Sequence, residues 1–406
     1  MKLCVGSFES FETSCKGLAA ASGRSRFAGR AEAEDALRGL LAGLPEAERD
    51  ALLDRLTATL DADDLVRLLV CAPFHAPTWR RLDRQDPAIG ERYWREAVPD
   101  GGPSTPDERA TLIDRLLAAA RPRAAFDAVH LTLEDIDSAR LQALLIAVAT
   151  VTAEPPERHQ LSGYDLAKAI EILAARPDAS SDVLARLELI YADVLDHSEH
   201  GIPNLERWIS QNPAEFVRLV ALAFRRSDGA ADPPGLVPAD PAARRTAAER
   251  GFRVLERLRR IPGTQPDGTI DAATLVAWIE EVRRLCHEHG RAAIGDDRIG
   301  DLLAKAPADP DGIWPCRAVA EALDAVATKD LRTGFRTGVY NARGVVARGA
   351  GGDEERALAA RYRGWADAHR FDWPFTASVL DALATSYERD AVHWDHDAAV
   401  RRRLER

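Results

Sequence analysis

Three observations predict an all-α fold for this chain. Apolar residues recur at three- and four-residue spacing, almost no stretch alternates with the period of a strand, and helix start and stop residues punctuate the pattern. The expected form is an irregular α-solenoid of helical hairpins, HEAT- or TPR-like in form, in two lobes. The repetition is one of form: no residue-level period accompanies it. The expected organisation is a poorly structured leader over 1–30, an N-terminal helical-array domain over 31–227, a Pro/Gly/Asp linker over 228–241 and a C-terminal helical domain over 242–406.

Helical periodicity begins near Ala31, with stretches at about 31–44, 46–60 and 62–71 separated by Leu44-Pro45 and the cluster Asp61 to Asp64. Asp61 and Asp63 are candidate N-caps for the third, since a carboxylate there accepts from free amides and favours the helix dipole. Pro73-Phe74 to Pro77-Thr78-Trp79 reads as a two-proline turn rich in aromatics, followed by a short helix ending Tyr93-Trp94. Further helices are expected at about 106–120, 132–153, 163–175 and 179–197; the last carries the stripe Val183, Leu187, Ile190, Val194 and is stopped by Gly201 and Pro203. Segments at about 203–210 and 212–227 follow. The run Ser227 to Gly235, continuing through Pro238 and Pro241, carries too little apolar surface to fold alone and is placed as the linker. Beyond it helices are expected at about 242–260, 270–289, 296–305, 316–327, 353–370, 374–388 and 390–404. The stretch Gly334 to Gly352 is the most glycine-rich, and 337–347 fits a short extended piece or a frayed helix equally well.

The 406 residues, 46% of them hydrophobic, suffice for a substantial core in two or three domains. A net charge of -11 argues against a dedicated nucleic-acid binder. Lysine occurs only at Lys2, Lys16, Lys168, Lys305 and Lys329, so nearly all 54 basic residues are arginine, a bias that fits GC-rich coding. Cys4, Cys15, Cys71, Cys286 and Cys316 are odd in number and lack CxxC spacing, which fits a reducing cytosol. Cys286 falls on the stripe Leu275, Ile279, Val282 and reads as a small buried apolar group. No apolar run approaches the roughly 18–20 residues that span a bilayer, and Met1 to Arg30 carries no export signal; the expected location is cytoplasmic.

No complete catalytic signature appears. Gly17 to Ser25 has five residues between its glycines and an arginine where a phosphate loop needs lysine, and no strand precedes it. Gly349-Ala350-Gly351-Gly352 opens a helix, but Asp353, Glu354 and Glu355 already answer its dipole. Asp193, His197 and His200 share one helical face, as do His393, His396 and Asp397, and either set has donors suited to a divalent ion. For the first, the favourable placement of imidazole at a helix C-terminus is the simpler account. Cys286-His287-Glu288-His289 is weaker, because adjacent helical residues point apart. No metal, cofactor or catalytic residue is therefore assigned. Trp79, Tyr93 and Trp94, and near the C-terminus Trp365, Phe371, Trp373, Phe375, Tyr387 and Trp394, are expected to anchor each domain's packing or to line a partner groove.

Two stretches resemble a known group. Pro73-Phe74 through Trp79 with Tyr93-Trp94, and Gly338 to Val345 with Gly351-Gly352 and Arg361-Tyr362, are similar to a helical-array region of large, mostly uncharacterised bacterial proteins of conflict or defence islands. The resemblance implies an array without its effector module and, with the weak leader, a truncated or split chain. The function expected is a cytosolic protein-interaction or regulatory scaffold, with Trp79, Tyr93, Trp94, Arg343 and Arg348 as candidate partner-binding residues and a protein as partner. The alternative is a metal-dependent hydrolase using one of the His/Asp clusters.

Overall fold

The computed structural model describes residues 13–17, 28–99, 105–151, 161–196, 198–342 and 351–404. Every regular element among them is helical, the β pairing being confined to two isolated bridges, Pro234 with Val237 and Thr264 with Ile270. The chain divides into two compact units, Met1–His200 and Gly201–Arg406. No helix is long and apolar enough to cross a membrane.

The first unit comprises α1 (Ala28–Ala42), α2 (Glu46–Thr57), α3 (Ala62–Cys71), α4 (Ala76–Leu82), α5 (Pro87–Glu96), α6 (Pro106–Ala118), α7 (Pro122–Val129), a 3-10 turn His130–Asp135, α8 (Ser138–Thr150), α9 (Gly163–Ala174), α10 (Ser181–Ile190) and α11 (Ala192–Leu195). Local chemistry fixes many of the starts. Asp61 accepts from the Asp64 amide at 2.9 Å, Asp86 from Ala88 at 2.8 Å and Asp137 from Arg140 at 2.9 Å, while α5, α6 and α7 begin on prolines, whose missing N–H is no loss at that position. Asp63 lies inside α3 and pairs with Arg92 instead of capping. The packing follows chain order: α1 on α3, α3 on α5, α5 on α6, α6 on α7 and α8, α8 on α9 and α10, α9 on α11. Leu37, Leu41, Leu52, Leu53, Leu56 and Leu68 form one core cluster. Part of the expected leader joins it, for residues 13–17 make a helical turn whose Cys15 is fully buried there.

The second unit holds α12 (Pro203–Gln211), α13 (Pro213–Ala223), α14 (Pro241–Arg257), α15 (Ala272–Glu288), α16 (Ala292–Leu303), α17 (Arg317–Val326), α18 (Lys329–Ala342), α19 (Asp353–His369) and α20 (Pro374–Leu404). The segment 228–241, read from sequence as a linker, lies within this unit and is pinned to it. The Ser227 amide and hydroxyl both donate to Gly290 O at 2.9 Å, and Asp232, its side chain 7% exposed, pairs with the fully buried Arg291 at 2.8 Å and with Arg244 at 3.0 Å. Arg291 also donates to the carbonyls of Phe224, His289 and Ala221, so one guanidinium closes the end of α13. Asp324 of α17 accepts from the amides of Phe375 and Thr376 and from the Thr376 hydroxyl, fixing where α20 begins.

Where sequence suggested a glycine-rich break, α18 runs against α16 at backbone contact. A Cβ on Gly334 would lie 1.8 Å from Asp297 O, and one on Gly300 would lie 2.2 Å from Leu331 O. The extended alternative for 337–347 does not hold over 337–342, which continue α18, and 343–347 lie outside the described residues. The expected pair 374–388 and 390–404 is one helix.

Trp314 sits between Phe335, Tyr362 and Trp365 at centroid distances of 5.4, 6.1 and 5.5 Å, and Tyr362 stacks on Tyr387 at 5.5 Å. Phe371, expected among these anchors, is 96% exposed. His369 is 1% exposed at the end of α19. Burial lowers its pKa from the ordinary value, opposed by the backbone of Trp314 and Pro315. A depressed imidazole binds its proton on unfolding, so its contribution to stability is complete above pH ~6.5 and is lost as pH falls below that value. His369→Gln is expected to flatten the dependence of melting temperature on pH between about 6.5 and 5; an unchanged slope would refute the assignment.

Candidate functional site

Phe74, Trp79, Tyr93 and Trp94 come together as the sequence suggested, but as core. They are 7, 4, 1 and 6% exposed. Trp79 and Trp94 lie 5.6 Å apart, Phe74 meets Trp79 edge-on at 5.2 Å, and Tyr93 meets Trp94 edge-on at 5.3 Å. The local fold explains the gathering. Pro73 and Pro77 do not make a turn alone: His75 O accepts the Thr78 and Trp79 amides, the Thr78 hydroxyl donates to Pro73 O at 2.8 Å, and α4 starts one residue before Pro77. Burial pushes the Tyr93 hydroxyl well above the ordinary phenol range. Trp79, Tyr93 and Trp94 thus hold α4 on α5 and leave little surface for a partner. Arg343 and Arg348 lie outside the described residues, as does the glycine run over 18–25.

Two concavities flank this aromatic core. One, of about 970 Å³, is walled by Trp94 and lined by Asp83, Glu91, Arg95 and Arg115. Its charges answer each other, Arg115 with Asp83 at 2.9 Å and Arg95 with Glu91 at 3.6 Å. The other, of about 860 Å³, is walled by Phe74, Leu41 and Val70 and carries Asp35, Arg38, Glu46, Arg49 and His75. Arg38 is engaged by Asp35 at 3.1 Å and by Glu34 at 4.0 Å. Arg49 is not engaged: no described residue accepts from its guanidinium, and its Nε is sealed from water. Sequence reasoning passed over Arg49 and His75. The one signal available was a histidine between two prolines, which the aromatic pattern overshadowed.

The metal-ligating sets do not assemble among the described residues, where no group of three or more His, Cys, Asp or Glu side chains could hold one ion. His197 is outside them. His200 turns to the fully buried Glu188, Nε2 to Oε1 3.0 Å, while Asp193 lines a separate concavity with Tyr164 and Glu199. Asp397 pairs with Arg401 at 2.6 Å, and the His393 ring packs edge-on against Trp394. Cys286 is fully buried, and burial with the nearby Asp296 pushes its thiol up to about 12, as expected of a group on the apolar stripe. Gly352, at the start of α19, donates its amide to Asp395 Oδ1 at 2.9 Å, so that helix start already holds an internal carboxylate.

Comparison of the chain with protein-family models, with curated proteins and with solved structures finds no match.

Proposed function

We propose that this chain is a protein-interaction or regulatory scaffold, a helical array serving a bacterial defence system together with a separately encoded effector. The observation that carries the reading is the packing order of the first unit, where the helices that pack on one another stand one or two places apart along the chain. Structures that grow by adding neighbours present surface along every added element, and they are used to hold partners. The net charge of -11 favours a protein partner over nucleic acid. The defence setting rests on the similarity of Pro73 to Trp94 and Gly338 to Tyr362 to the helical regions described above.

The test is capture of the tagged full chain from its native cell at physiological salt, with mass spectrometry and light scattering of the eluate. A protein retained at about one copy per chain is the expected result; recovery of the chain alone would overturn the proposal. Retention of nucleic acid that is lost steeply with salt would replace it with a different function.

A further inference from the structure

The 860 Å³ concavity of the first unit differs from the others in the balance of its polar groups. Arg49, on the inner side of α2, has no acceptor for its guanidinium among the described residues. His75, beside it, has Nε2 sealed from water and unpartnered. Arg81, adjacent to His75 and 7% exposed, is answered by Asp54 at Nε, 2.7 Å, and by Asp50 at NH2, 3.2 Å, yet its NH1 is also sealed without an acceptor. Two guanidinium donors, Arg49 Nε and Arg81 NH1, are therefore left unanswered around His75 against one acceptor that makes no hydrogen bond, Asp50 Oδ1, and a buried donor left unanswered costs on the order of 1–3 kcal/mol. Sites of that kind are completed by water or by an anion.

We infer that this concavity binds a single carboxylate carried on an apolar body, with the carboxylate on Arg49 beside His75. The charge limit follows from the rim. Arg38 is already paired, and Asp35 and Glu46 line the same space, so a dianion such as phosphate meets two carboxylates and, among the described residues, one guanidinium without an acceptor. A planar monoanion matches one guanidinium through two parallel hydrogen bonds. The apolar body follows from the walls: Leu41, Val70 and Phe74 form the floor, and Val98, 54% exposed at the edge, offers uncovered apolar surface. His75 fits as a neutral neighbour, since burial first and the Arg49 charge second lower its pKa. Two sources share this chemistry, a free organic acid and the C-terminal carboxylate of a polypeptide with an apolar last residue. The site does not depend on the scaffold proposal: it stands or falls by direct binding, whereas the scaffold stands or falls by partner capture.

The experiment is calorimetry on the full chain with five probes: hexanoate, hexanol, an acetylated Leu-Val peptide with a free C-terminus, its C-terminal amide, and inorganic phosphate. Saturable binding of hexanoate, the peptide acid or both is expected, with hexanol and the amide silent. Hexanoate alone identifies a small-acid site, and the peptide acid alone identifies a reader of chain ends. Arg49→Gln should weaken binding about tenfold or more, while Glu46→Gln, an exposed change that removes a rim charge, should tighten it about two- to threefold. The Glu46 variant keeps the test valid if Arg49→Gln does not fold. Absence of saturable binding by both acids overturns the inference. So does equal affinity for acid and neutral probe, binding of inorganic phosphate as tight as that of hexanoate, or an unchanged affinity in the variants that fold.

Discussion

Gly334→Ala is expected to cost the protein about 3 kcal/mol or more, the upper end of what overpacking does. The reason is what the added methyl would meet. Its Cβ would stand 1.8 Å from the Asp297 carbonyl oxygen and 2.6 Å from its carbon, all of it helix backbone. A side chain can swing away, but a carbonyl inside α16 cannot move without breaking its own helix. Gly300 and Gly338 extend the same contact, each with a would-be Cβ inside 3 Å of the facing helix. Relief would therefore require α16 and α18 to separate along their length. Gly364 provides the control: it lies inside α19 with nothing within 4 Å of a built Cβ, so Gly364→Ala should stabilise by about 0.4–1 kcal/mol. Urea unfolding followed by circular dichroism measures both. If Gly334→Ala proves as stable as the parent, the close contact between α16 and α18 is not as described.

Arg291→Met should be comparably severe, at about 3–5 kcal/mol, the range for removing one partner of a buried ion pair. The methionine would fill much of the space without supplying a donor. Asp232 would keep only Arg244, and the carbonyls of Phe224, His289 and Ala221 would lose the donor they share. Adding Asp232→Asn to Arg291→Met separates these parts, because deleting the charge recovers the cost of the orphaned carboxylate but not that of the orphaned carbonyls. Partial recovery is the expected result. Full recovery would mean that the carbonyls contribute nothing, and a stable single variant would remove the pair from any structural role.

The all-α class and most helices were legible because burial imposes a period on apolar residues, as in Leu52, Leu53 and Leu56 or Leu275, Ile279 and Val282. Capping by Asp61 was legible for the same local reason. Features that depend on distant neighbours were not. The glycine-rich stretch from Gly334 left an extended piece and a frayed helix equally open, because glycine is costly in an isolated helix and only the presence of α16 turns that cost into a close contact. Pro203 reads as a stop for the helix before it, and it also opens α12, as Pro87, Pro106, Pro122, Pro213 and Pro241 open theirs. The Pro/Gly/Asp run after Ser227 has a linker's composition, and its attachment rests on Arg291, some 60 residues further on. Of the candidate site, the aromatics were found and both core packing and a partner groove were open to them, since Trp79 at 4% exposure and a tryptophan lining a groove have the same sequence signature. Arg49 carried no signal at all, because an unanswered guanidinium is defined by what fails to surround it.

The buried cysteines give the protein an internal clock. Cys15 is shut inside the first unit, Cys286 and Cys316 inside the second, and burial raises the pKa of all three, which keeps those thiols protonated. A protonated, enclosed sulfur is inert to alkylation until the fold around it opens. Each unit therefore carries its own chemical timer, and the rate at which a maleimide marks Cys286 against Cys15 reads how often one half of the molecule breathes without the other.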